Sequence, residues 1–352
     1  MQIALVAASP HIVGGQSVQA QALAIGLCEA GYDVRLTPID PRFPRQLACV
    51  RRWPYVRTVL NEAMYLPRLR ALKDADVVHV FSASYYSFVL AVVPAIVAAR
   101  RFHKPIVLHY HSGEADDHLA HWGPLVHPWL RLVDTIVVPS EYLREVFARH
   151  GYQAHVVPNV VDTSRFRYRP RPMIGPRLLS TRNLEPYYRV DNTIAAFARI
   201  QTRYRDATLT IVGDGSERDA LHRLADSLRV TGVRFVGRVE PDGMPALLDG
   251  SDIFVNSSTL DNQPVSVLEA FAAGLPVVST PTGDIAALVR DHETGLIVPP
   301  DDPAAMARAV TTFVNHPGLA RRVARNARAT VDAFTWTQVR DRWATVYAQA
   351  CA

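Results

Sequence analysis

The chain has 352 residues, which at roughly 150 residues per domain favours two domains. Hydrophobic residues make up 49% and charged residues 20%, a composition that excludes a largely disordered chain. The net charge is +5, and the excess lies in the first half: residues 1–170 hold 18 Lys and Arg against 13 Asp and Glu, whereas residues 171–352 hold 20 against 20. The three cysteines, Cys28, Cys49 and Cys351, are scattered, which argues against a disulfide framework and favours a reducing cytoplasm.

Short apolar runs alternate with helical patterns along the first half. A helix is predicted from about Ser17 to Ala30, and Gly31 ends it. The uncharged stretch Val77–Ala99 is long enough to span a bilayer. Serines and Pro94 interrupt it, so a buried strand, a loop and a core helix are predicted there instead. The predicted strands of this half are Ile3–Ala7, Val34–Thr37, Val77–Phe81, Ile106–Tyr110 and Thr135–Pro139.

The Pro- and Arg-rich segment Arg165–Arg177 breaks the pattern and is the candidate linker. The alternation then resumes, and it ends in three predicted helices near Pro303–Val314, Leu319–Phe334 and Thr337–Ala350. Such alternation with continuously apolar strands predicts α/β domains with parallel sheets covered on both faces. We expect two doubly wound domains facing each other across a cleft, with ligands at the carboxyl ends of the strands. The predicted strands of this half are Leu178–Thr181, Thr208–Val212, Val233–Val236, Ile253–Asn256 and Pro276–Ser279.

Two glycine-containing segments follow predicted strands and precede helices. At Gly14-Gly15, the absence of side chains lets a ligand approach the backbone, and the helix N-terminus attracts an anion; a plain β-α turn is the alternative. Gly213-Asp214-Gly215 has the same placement. Neither segment completes a G-x-G-x-x-G pattern, and no acidic residue ends a following strand where it would bind a ribose, which argues against an NAD-dependent dehydrogenase.

Two carboxylates, Asp261 and Glu269, flank a predicted helix start. Pro264 can occupy the first helical turn, and Val265 and Ser266 would then offer backbone N–H groups to an anion. The acids would bind hydroxyl groups of the same ligand. The alternative is that Asp261 is a simple helix cap and Glu269 lies on a solvated face.

Arg182 ends the first strand of the second half, where its guanidinium could bind a diphosphate through two hydrogen bonds; a surface arginine is the alternative. His109 and His111 lie two apart at the end of a strand and so share one face. One of them could reach a reacting centre, although His109 could equally be a core histidine. Asp74-x-Asp76 has a metal-binding spacing but precedes a strand at its amino end, so it is predicted to be a turn and no metal is implied.

The order and spacing of these segments resemble glycosyltransferase family 4, whose members are retaining enzymes of the GT-B fold. The resemblance covers nearly the whole chain. In the first half the similar segments are GGQSVQAQALAIGLCEAGYDV, HYHSGE, VVPSEYLREVF and VVPNVVDTSRF. In the second half they are RNLEP, IVGDGSERDALHRLA, VRFVGRV, LLDGSDIFVNSS and VLEAFAAGLPVVST.

The resemblance implies two Rossmann-like domains, an acceptor-side domain over 1–170 and a donor-side domain over 171–336, with a helix over 337–352 packing back on the first. It implies that Arg182 binds the donor diphosphate, that Glu269 binds the ribose, and that His111 lies beside the transferred sugar. The base would be bound near Arg238 and Val239. The implied catalytic residues are His111, Arg182, Arg189 and Asp261, and the implied donor-binding residues are Gly14, Gly15, Gln16, Arg182, Gly213, Asp214, Arg238, Val239, Asn262, Val265, Ser266 and Glu269.

Three positions depart from the family pattern. Tyr188 stands where the family has a lysine, and we expect the neighbouring Arg189 to act as the second phosphate cation. Asp261 replaces the first glutamate of the E-x7-E motif and is one methylene shorter. Thr181 replaces the usual glycine before Arg182. These changes indicate a divergent branch and leave the donor sugar open.

We therefore expect a bacterial, metal-independent retaining glycosyltransferase of polysaccharide or glycolipid biosynthesis that needs no cofactor. Its co-substrate would be a nucleotide-diphosphate-sugar, with UDP- or GDP-sugars favoured, and its acceptor a glycan or a lipid-linked hydroxyl. A degenerate member that binds nucleotide-sugar or glycan without catalysis is the alternative, motivated by Tyr188 and Asp261.

The segment Arg42–Arg57 carries five arginines, three aromatic residues and no acid. Basic and aromatic residues together suit an anionic membrane surface, and a solvated surface segment is the alternative. We expect a cytoplasmic protein, peripheral on the inner face of the membrane. No nucleic-acid recognition module is present in the sequence, so nucleic acid is not an expected partner.

Overall fold

The computed structural model describes residues 1–9, 14–44, 46, 53–82 and 84–352. In these residues, contacts divide the chain into two units: Met1–Val160 with Val339–Ala352, and Val161–Gln338. The candidate linker Arg165–Arg177 falls inside the second unit. The last helix begins in the second unit at Trp336, and its residues from Val339 onward belong to the first.

The first unit contains a parallel six-stranded sheet in the order β2-β1-β3-β4-β5-β6. Ile3 of β1 pairs with Val34 of β2 on one side and with Val77 of β3 on the other, so the chain winds outward from β1 in both directions. The strands are β1 (Gln2–Ala7), β2 (Asp33–Pro38), β3 (Val77–Ser82), β4 (Ile106–Tyr110), β5 (Thr135–Val138) and β6 (His155–Val156).

Helices connect these strands. A 3₁₀ segment over Leu66–Asp74 extends the second helix, and a π-helical turn over Phe88–Val92 joins the third to the fourth. The helices are α1 (Gly15–Glu29), α2 (Pro54–Tyr65), α3 (Tyr85–Ser87), α4 (Val93–Arg101), α5 (Ala115–His121), α6 (Gly123–Leu130) and α7 (Glu141–Arg149).

The second unit repeats this arrangement in the order β12-β11-β10-β7-β8-β9. Its strands are β7 (Arg177–Thr181), β8 (Thr208–Val212), β9 (Val233–Gly237), β10 (Ile253–Asn256), β11 (Val277–Ser279) and β12 (Leu296–Ile297). Its helices are α8 (Val190–Arg203), α9 (Arg218–Ser227), α10 (Met244–Asp249), α11 (Val265–Ala272), α12 (Ile285–Leu288), α13 (Pro303–Asn315) and α14 (Pro317–Val331), and α15 (Trp336–Ala350) ends the chain.

Each sheet is covered on both faces, as its continuously apolar strands require. In the first unit, Val78 and Val80 of β3 pack into a core with Ile96 of α4. The alternate residue His79 lies on the opposite face against Trp343 of α15. The second unit has one apolar cluster around α8 and α13 and another around α11.

The α/β fold of two doubly wound parallel sheets is confirmed. The two-residue strands β6 and β12 were not predicted, because two residues carry no periodic signal. Pro264 precedes the first turn of α11 as its N-cap rather than lying inside it. In the part of the chain that is described, no helix combines the length and the apolar character needed to cross a bilayer.

Candidate active site

Arg182 follows β7 and is the centre of a buried polar cluster in the second unit. Its Nη1 donates to the Ser266 Oγ at 3.0 Å, and its Nη2 donates to the Asp261 carboxylate. The Tyr188 ring lies against the guanidinium, with 4.3 Å from Cζ to the ring centroid. Only 9% of the Arg182 side chain and 10% of the Asp261 side chain are exposed. The buried Arg182 Nε has no hydrogen-bond partner among the residues that the structure describes.

The two glycines of Gly213-Asp214-Gly215 allow the loop after β8 to pack against the backbone of Arg182 and Leu184. A Cβ on Gly213, whose φ is 138°, would lie 2.2 Å from the Arg182 carbonyl oxygen. One on Gly215 would lie 2.4 Å from the Leu184 oxygen. These glycines therefore permit the close approach of this loop to the Arg182 and Leu184 backbone, a structural role that the sequence did not reveal.

Asp214, between these glycines, lies 3.7 Å from the Arg238 guanidinium, which follows β9. Arg238 is 62% exposed, whereas Val239 packs on the apolar cluster around α11. The structure thus brings the two predicted donor-binding residues Asp214 and Arg238 together at the carboxyl edge of β8 and β9.

The loop carrying Asp261 and Asn262 is held by the segment after β11. Gly283 has a φ of 57°, and a Cβ there would lie 2.2 Å from the Asp261 carbonyl oxygen. The Asp284 N–H donates to the Asn262 carbonyl at 3.0 Å, and the Gln263 Nε2 donates to the Asp284 carboxylate at 3.1 Å. The sequence analysis did not single out Gly283 and Asp284, because they act by holding a loop that is distant in sequence. The Thr-Gly-Asp turn that follows a strand was the signal that could have indicated them.

The N-terminus of α11 meets Arg182 at Ser266, the second residue of the helix. No acidic residue lies in its first turn, and no side chain of the described residues caps it, so this end keeps the positive partial charge of its N–H groups. The Arg182 guanidinium adds a full positive charge at the same place. The Asp261 carboxylate neutralises it, although burial raises the pKa of this carboxyl against the opposing effect of Arg182.

Glu269 lies in the middle of α11. Burial raises the pKa of its carboxyl to about 7, and the charge of Arg165 opposes this shift. A partly buried carboxyl with such a pKa can accept or donate hydrogen bonds at neutral pH, which suits the recognition of neighbouring hydroxyl groups.

Arg189 has a different environment from Arg182. Its guanidinium donates to both oxygens of Asp191, at 3.1 and 3.0 Å, and also to Asp301. The residue adopts a left-handed conformation with a φ of 48° and forms the N-cap of α8. These two carboxylates occupy the guanidinium that was expected to bind a phosphate.

In the first unit, the predicted residues Gln16 and His111 are neighbours through Ser82. The Gln16 Nε2 donates to the Ser82 carbonyl at 3.0 Å, and the His111 backbone N–H donates to the same oxygen at 3.1 Å. Gly14 and Gly15 precede Gln16, and a Cβ on either would meet no atom of the described residues within 4 Å. Positions 10–13, directly before this helix start, lie outside the described residues.

His111 belongs to a buried stack of rings on one face of β3 and β4. Its ring lies 4.0 Å from that of His109 and 5.0 Å from that of Phe81, between centroids. The His79 Nδ1 and the Tyr347 hydroxyl are 2.7 Å apart. Burial lowers the pKa of His79 and of His111 to about 3, and it lowers that of His109 well below its usual value.

Part of the predicted basic segment Arg42–Arg57 is not among the described residues, namely positions 45 and 47–52. Of the remainder, Trp53 is 64% and Tyr55 is 88% exposed. The same face of α2 continues with exposed Val56 and Val59. Within the described ranges, no group of three or more His, Cys, Asp or Glu side chains is placed to hold a metal ion.

Comparisons with known proteins agree with this architecture. The family model "Glycosyltransferase Family 4" matches residues 13–165, and "Glycosyl transferases group 1" matches residues 166–330. A glycogen synthase of Mycobacterium tuberculosis is 33% identical over 273 residues, which is 73% of this chain and 66% of the relative. The aligned part thus spans slightly less than two thirds of that protein.

Two solved structures share the fold. Sucrose-phosphate synthase from Thermosynechococcus elongatus superposes with a TM-score of 0.81 at 20% identity, covering 99% of this chain and 98% of its own. Anabaena HepE in complex with UDP and glucose gives 0.77 at 19% identity, covering 99% of each chain. With both halves matched by the family models, the chain belongs to glycosyltransferase family 4 and has the GT-B fold.

Proposed function

We propose that this protein is a retaining glycosyltransferase that moves a sugar from a nucleotide-diphosphate-sugar to a hydroxyl of a glycan or lipid-linked acceptor. The observation that carries the proposal is the position of Arg182 at the uncapped N-terminus of α11. The guanidinium, which is paired with the Asp261 carboxylate, and the helix N-terminus both attract anions in a buried environment, and such a site favours a doubly charged leaving group. The UDP bound to HepE is in keeping with such a donor.

In the proposed reaction, the bond between the anomeric carbon and the diphosphate oxygen breaks while the acceptor oxygen bonds to the same face of the sugar. The acceptor proton passes to the leaving diphosphate. Arg182 and the N–H groups of Val265 and Ser266 stabilise the developing phosphate charge, so this role needs no metal ion. Asp261 orients the sugar.

The remaining predicted residues would surround the donor. Glu269 would bind the ribose hydroxyls, and Arg238, Val239 and Asp214 would lie near the base. In the first unit, the backbone at Gly14 and Gly15 would approach the phosphates, and His111 would lie beside the transferred sugar. Gln16, Gly213 and Asn262 complete the proposed donor-binding set.

A thermal-shift screen of UDP-, GDP- and ADP-sugars tests the donor. The bound donor should raise the melting temperature, because it stabilises only the folded state. Arg182→Ala should abolish both the shift and transfer while the protein stays folded. Near-normal turnover by this variant would overturn the proposed site. Donor binding without hydrolysis or transfer across lipid and sugar acceptors would favour the non-catalytic alternative.

We also propose that α2 contacts an anionic membrane at the acceptor side. Trp53, Tyr55, Val56 and Val59 expose a continuous apolar face, and the arginines of Arg42–Arg57 carry no acidic partner within that segment. Aromatic and apolar side chains beside arginines suit the interfacial region of a bilayer.

Flotation with vesicles containing anionic lipid tests this contact. Val59→Asp should reduce flotation, because it introduces a charge into the apolar face. Ile25→Asp is the matched control, since Ile25 is 60% exposed on α1 and Val59 is 68% exposed. Equal effects of the two substitutions would contradict the assignment of α2.

A further inference from the structure

The segment 186–189, here called the Tyr188 loop, contacts the Arg182 guanidinium through the Tyr188 ring. It is a 3₁₀ turn over Pro186–Tyr188 followed by Arg189. The Tyr188 ring faces the Arg182 guanidinium at 4.3 Å, within the range of a cation–π interaction. This aromatic residue stands at the position where the family resemblance predicts a lysine.

Several polar contacts hold the Tyr188 loop in place. The Ser257 Oγ lies 3.1 Å from the Tyr188 carbonyl oxygen and 2.6 Å from that of Arg189. The Thr259 N–H donates to the Tyr187 carbonyl at 2.8 Å. The loop is therefore fixed from the carboxyl end of β10, which precedes Ser257 directly.

Arg189 completes the anchoring. A residue other than glycine in the left-handed region carries a conformational cost. Here that conformation is held by the bonds of the guanidinium to Asp191 on α8 and to Asp301 before α13. The same bonds direct the Arg189 side chain to these carboxylates, while the turn directs Tyr188 to Arg182.

Arg182 is a buried cation whose orientation depends on the groups that touch it. It lies at the positive end of α11, and the Asp261 carboxylate is its ionic partner. Among the described residues the buried Nε has no hydrogen-bond partner, so the hydrogen bonds that hold the guanidinium are those of Nη1 and Nη2. The Tyr188 ring attracts the cation through its face and uses none of the guanidinium N–H donors, two of which donate to Ser266 and Asp261.

We propose that Tyr188 is a positioning residue that holds Arg182 for diphosphate binding, and that Arg189 anchors the Tyr188 loop instead of binding phosphate. This inference rests on the proposed function, in which Arg182 binds the donor diphosphate. A ring and a single cation thereby replace the pair of cations expected from the family pattern.

Titration calorimetry of the full chain with UDP and GDP tests the ring. Tyr188→Phe should bind like the wild type, because it keeps the ring. Tyr188→Leu should weaken binding about 3- to 30-fold, the range expected from a partly buried cation–π interaction. The matched control is Tyr204→Leu, since Arg203 lies over the Tyr204 ring at 5.6 Å on the other end of α8; it should leave binding unchanged.

Asp301→Asn separates the two roles of Arg189. If Arg189 anchors the loop, losing a carboxylate partner loosens Tyr188, and binding of UDP or GDP weakens. If Arg189 binds phosphate, the same substitution releases its guanidinium and strengthens binding. Stronger binding by Asp301→Asn would therefore overturn the anchoring role.

The outcomes distinguish this inference from the proposed function. One outcome is that the wild type binds UDP or GDP, that Arg182→Ala loses this binding and that Tyr188→Leu retains it. In that case the positioning role of Tyr188 is wrong and the proposed donor site stands. If the wild type binds no nucleoside diphosphate, the proposed function fails. The ring contact is then still testable without ligand, because Tyr188→Leu should remove the ring-current shift of the Arg182 Nε–H signal in the NMR spectrum; an unchanged signal would contradict the contact.

Discussion

Gly213 lies in a loop that precedes a helix and Gly15 begins a helix, and a side chain would meet different surroundings at the two positions. Gly213→Ala would place a Cβ 2.2 Å from the Arg182 oxygen at a φ of 138°. The backbone of Arg182 must then move, so we expect a loss of about 2 kcal/mol or more in the free energy of unfolding, together with the loss of donor binding. Chemical denaturation and calorimetry measure the two effects.

Gly15→Ala should behave in the opposite way. Its Cβ meets no atom of the described residues within 4 Å, and the residue begins α1, where alanine is a better helix former than glycine. The free energy of unfolding should stay equal or rise, while the KM for the donor rises if the diphosphate approaches this backbone. An unchanged KM would remove Gly15 from the donor site.

Glu269 gives a prediction about pH. Burial raises the pKa of its carboxyl to about 7 from 4.5, so the folded state holds this proton more tightly than the unfolded state does. The stability that this group contributes is therefore present below pH 4.5 and is lost as the pH rises through 7. Glu269→Gln cannot lose a proton, so without donor it should be more stable than the wild type above pH 7, by on the order of 3 kcal/mol at most.

The readout is the difference in the free energy of unfolding between Glu269→Gln and the wild type from pH 4.5 to 8. It should grow with pH over this range. A constant difference would show that the carboxyl has an ordinary pKa. The same substitution should weaken binding of the nucleotide while sparing the fold.

At the scale of elements, β3, β4 and α15 enclose three imidazoles that must stay neutral. His79, His109 and His111 stack with Phe81, and Trp343 of α15 lies 5.1 Å from His79 and 5.0 Å from His109, between ring centroids. Their lowered pKa values mean that the unfolded state binds protons first as the pH falls. The contribution of these neutral imidazoles to the free energy of unfolding is therefore fully present above pH 6.5 and is lost as the pH falls towards 3.

His109→Phe should make unfolding less sensitive to acid. Each buried imidazole contributes about 1.4 kcal/mol per pH unit to the fall in the free energy of unfolding below pH 6, and the substitution removes one of them. Denaturant titrations at pH 6, 5 and 4 measure the slope. His292→Asn is the control, because the His292 side chain is 64% exposed; this variant should keep the wild-type slope. Equal slopes for the wild type and both variants would show that the buried imidazoles do not cause the loss of stability in acid.

The elements of both sheets could be predicted from sequence because each central strand is a continuous apolar run. The runs at Ile106–Tyr110 and Thr208–Val212 give β4 and β8 with the same limits. The placement of Arg182 at the end of a strand followed from the same pattern. By contrast, the contact of Tyr188 with Arg182 depends on the left-handed turn at Arg189 and on Asp301, which is 112 positions away. No local pattern carries that information.

In the whole molecule, the excess positive charge and the buried candidate site around Arg182 lie in different halves of the chain. The candidate anion site of the second unit lies in a half with 20 basic and 20 acidic residues, and its central cation is paired with Asp261. The excess charge lies in the first half, with 18 against 13. The excess is therefore not explained by donor binding, and an anionic acceptor surface remains the proposed reason for it.

This separation predicts that vesicle binding and donor binding respond differently to salt. Exposed arginines act over a Debye length that falls from about 10 Å at 0.1 M to about 3 Å at 1 M salt, so flotation on anionic vesicles should fall at least about tenfold between these conditions. The buried Arg182 site is screened much less. Arg57→Glu should reduce flotation at low salt, whereas Arg322→Glu makes the same charge change in the balanced half and should not. Flotation that is insensitive to salt, or equal on neutral vesicles, would show that the charge excess has another role.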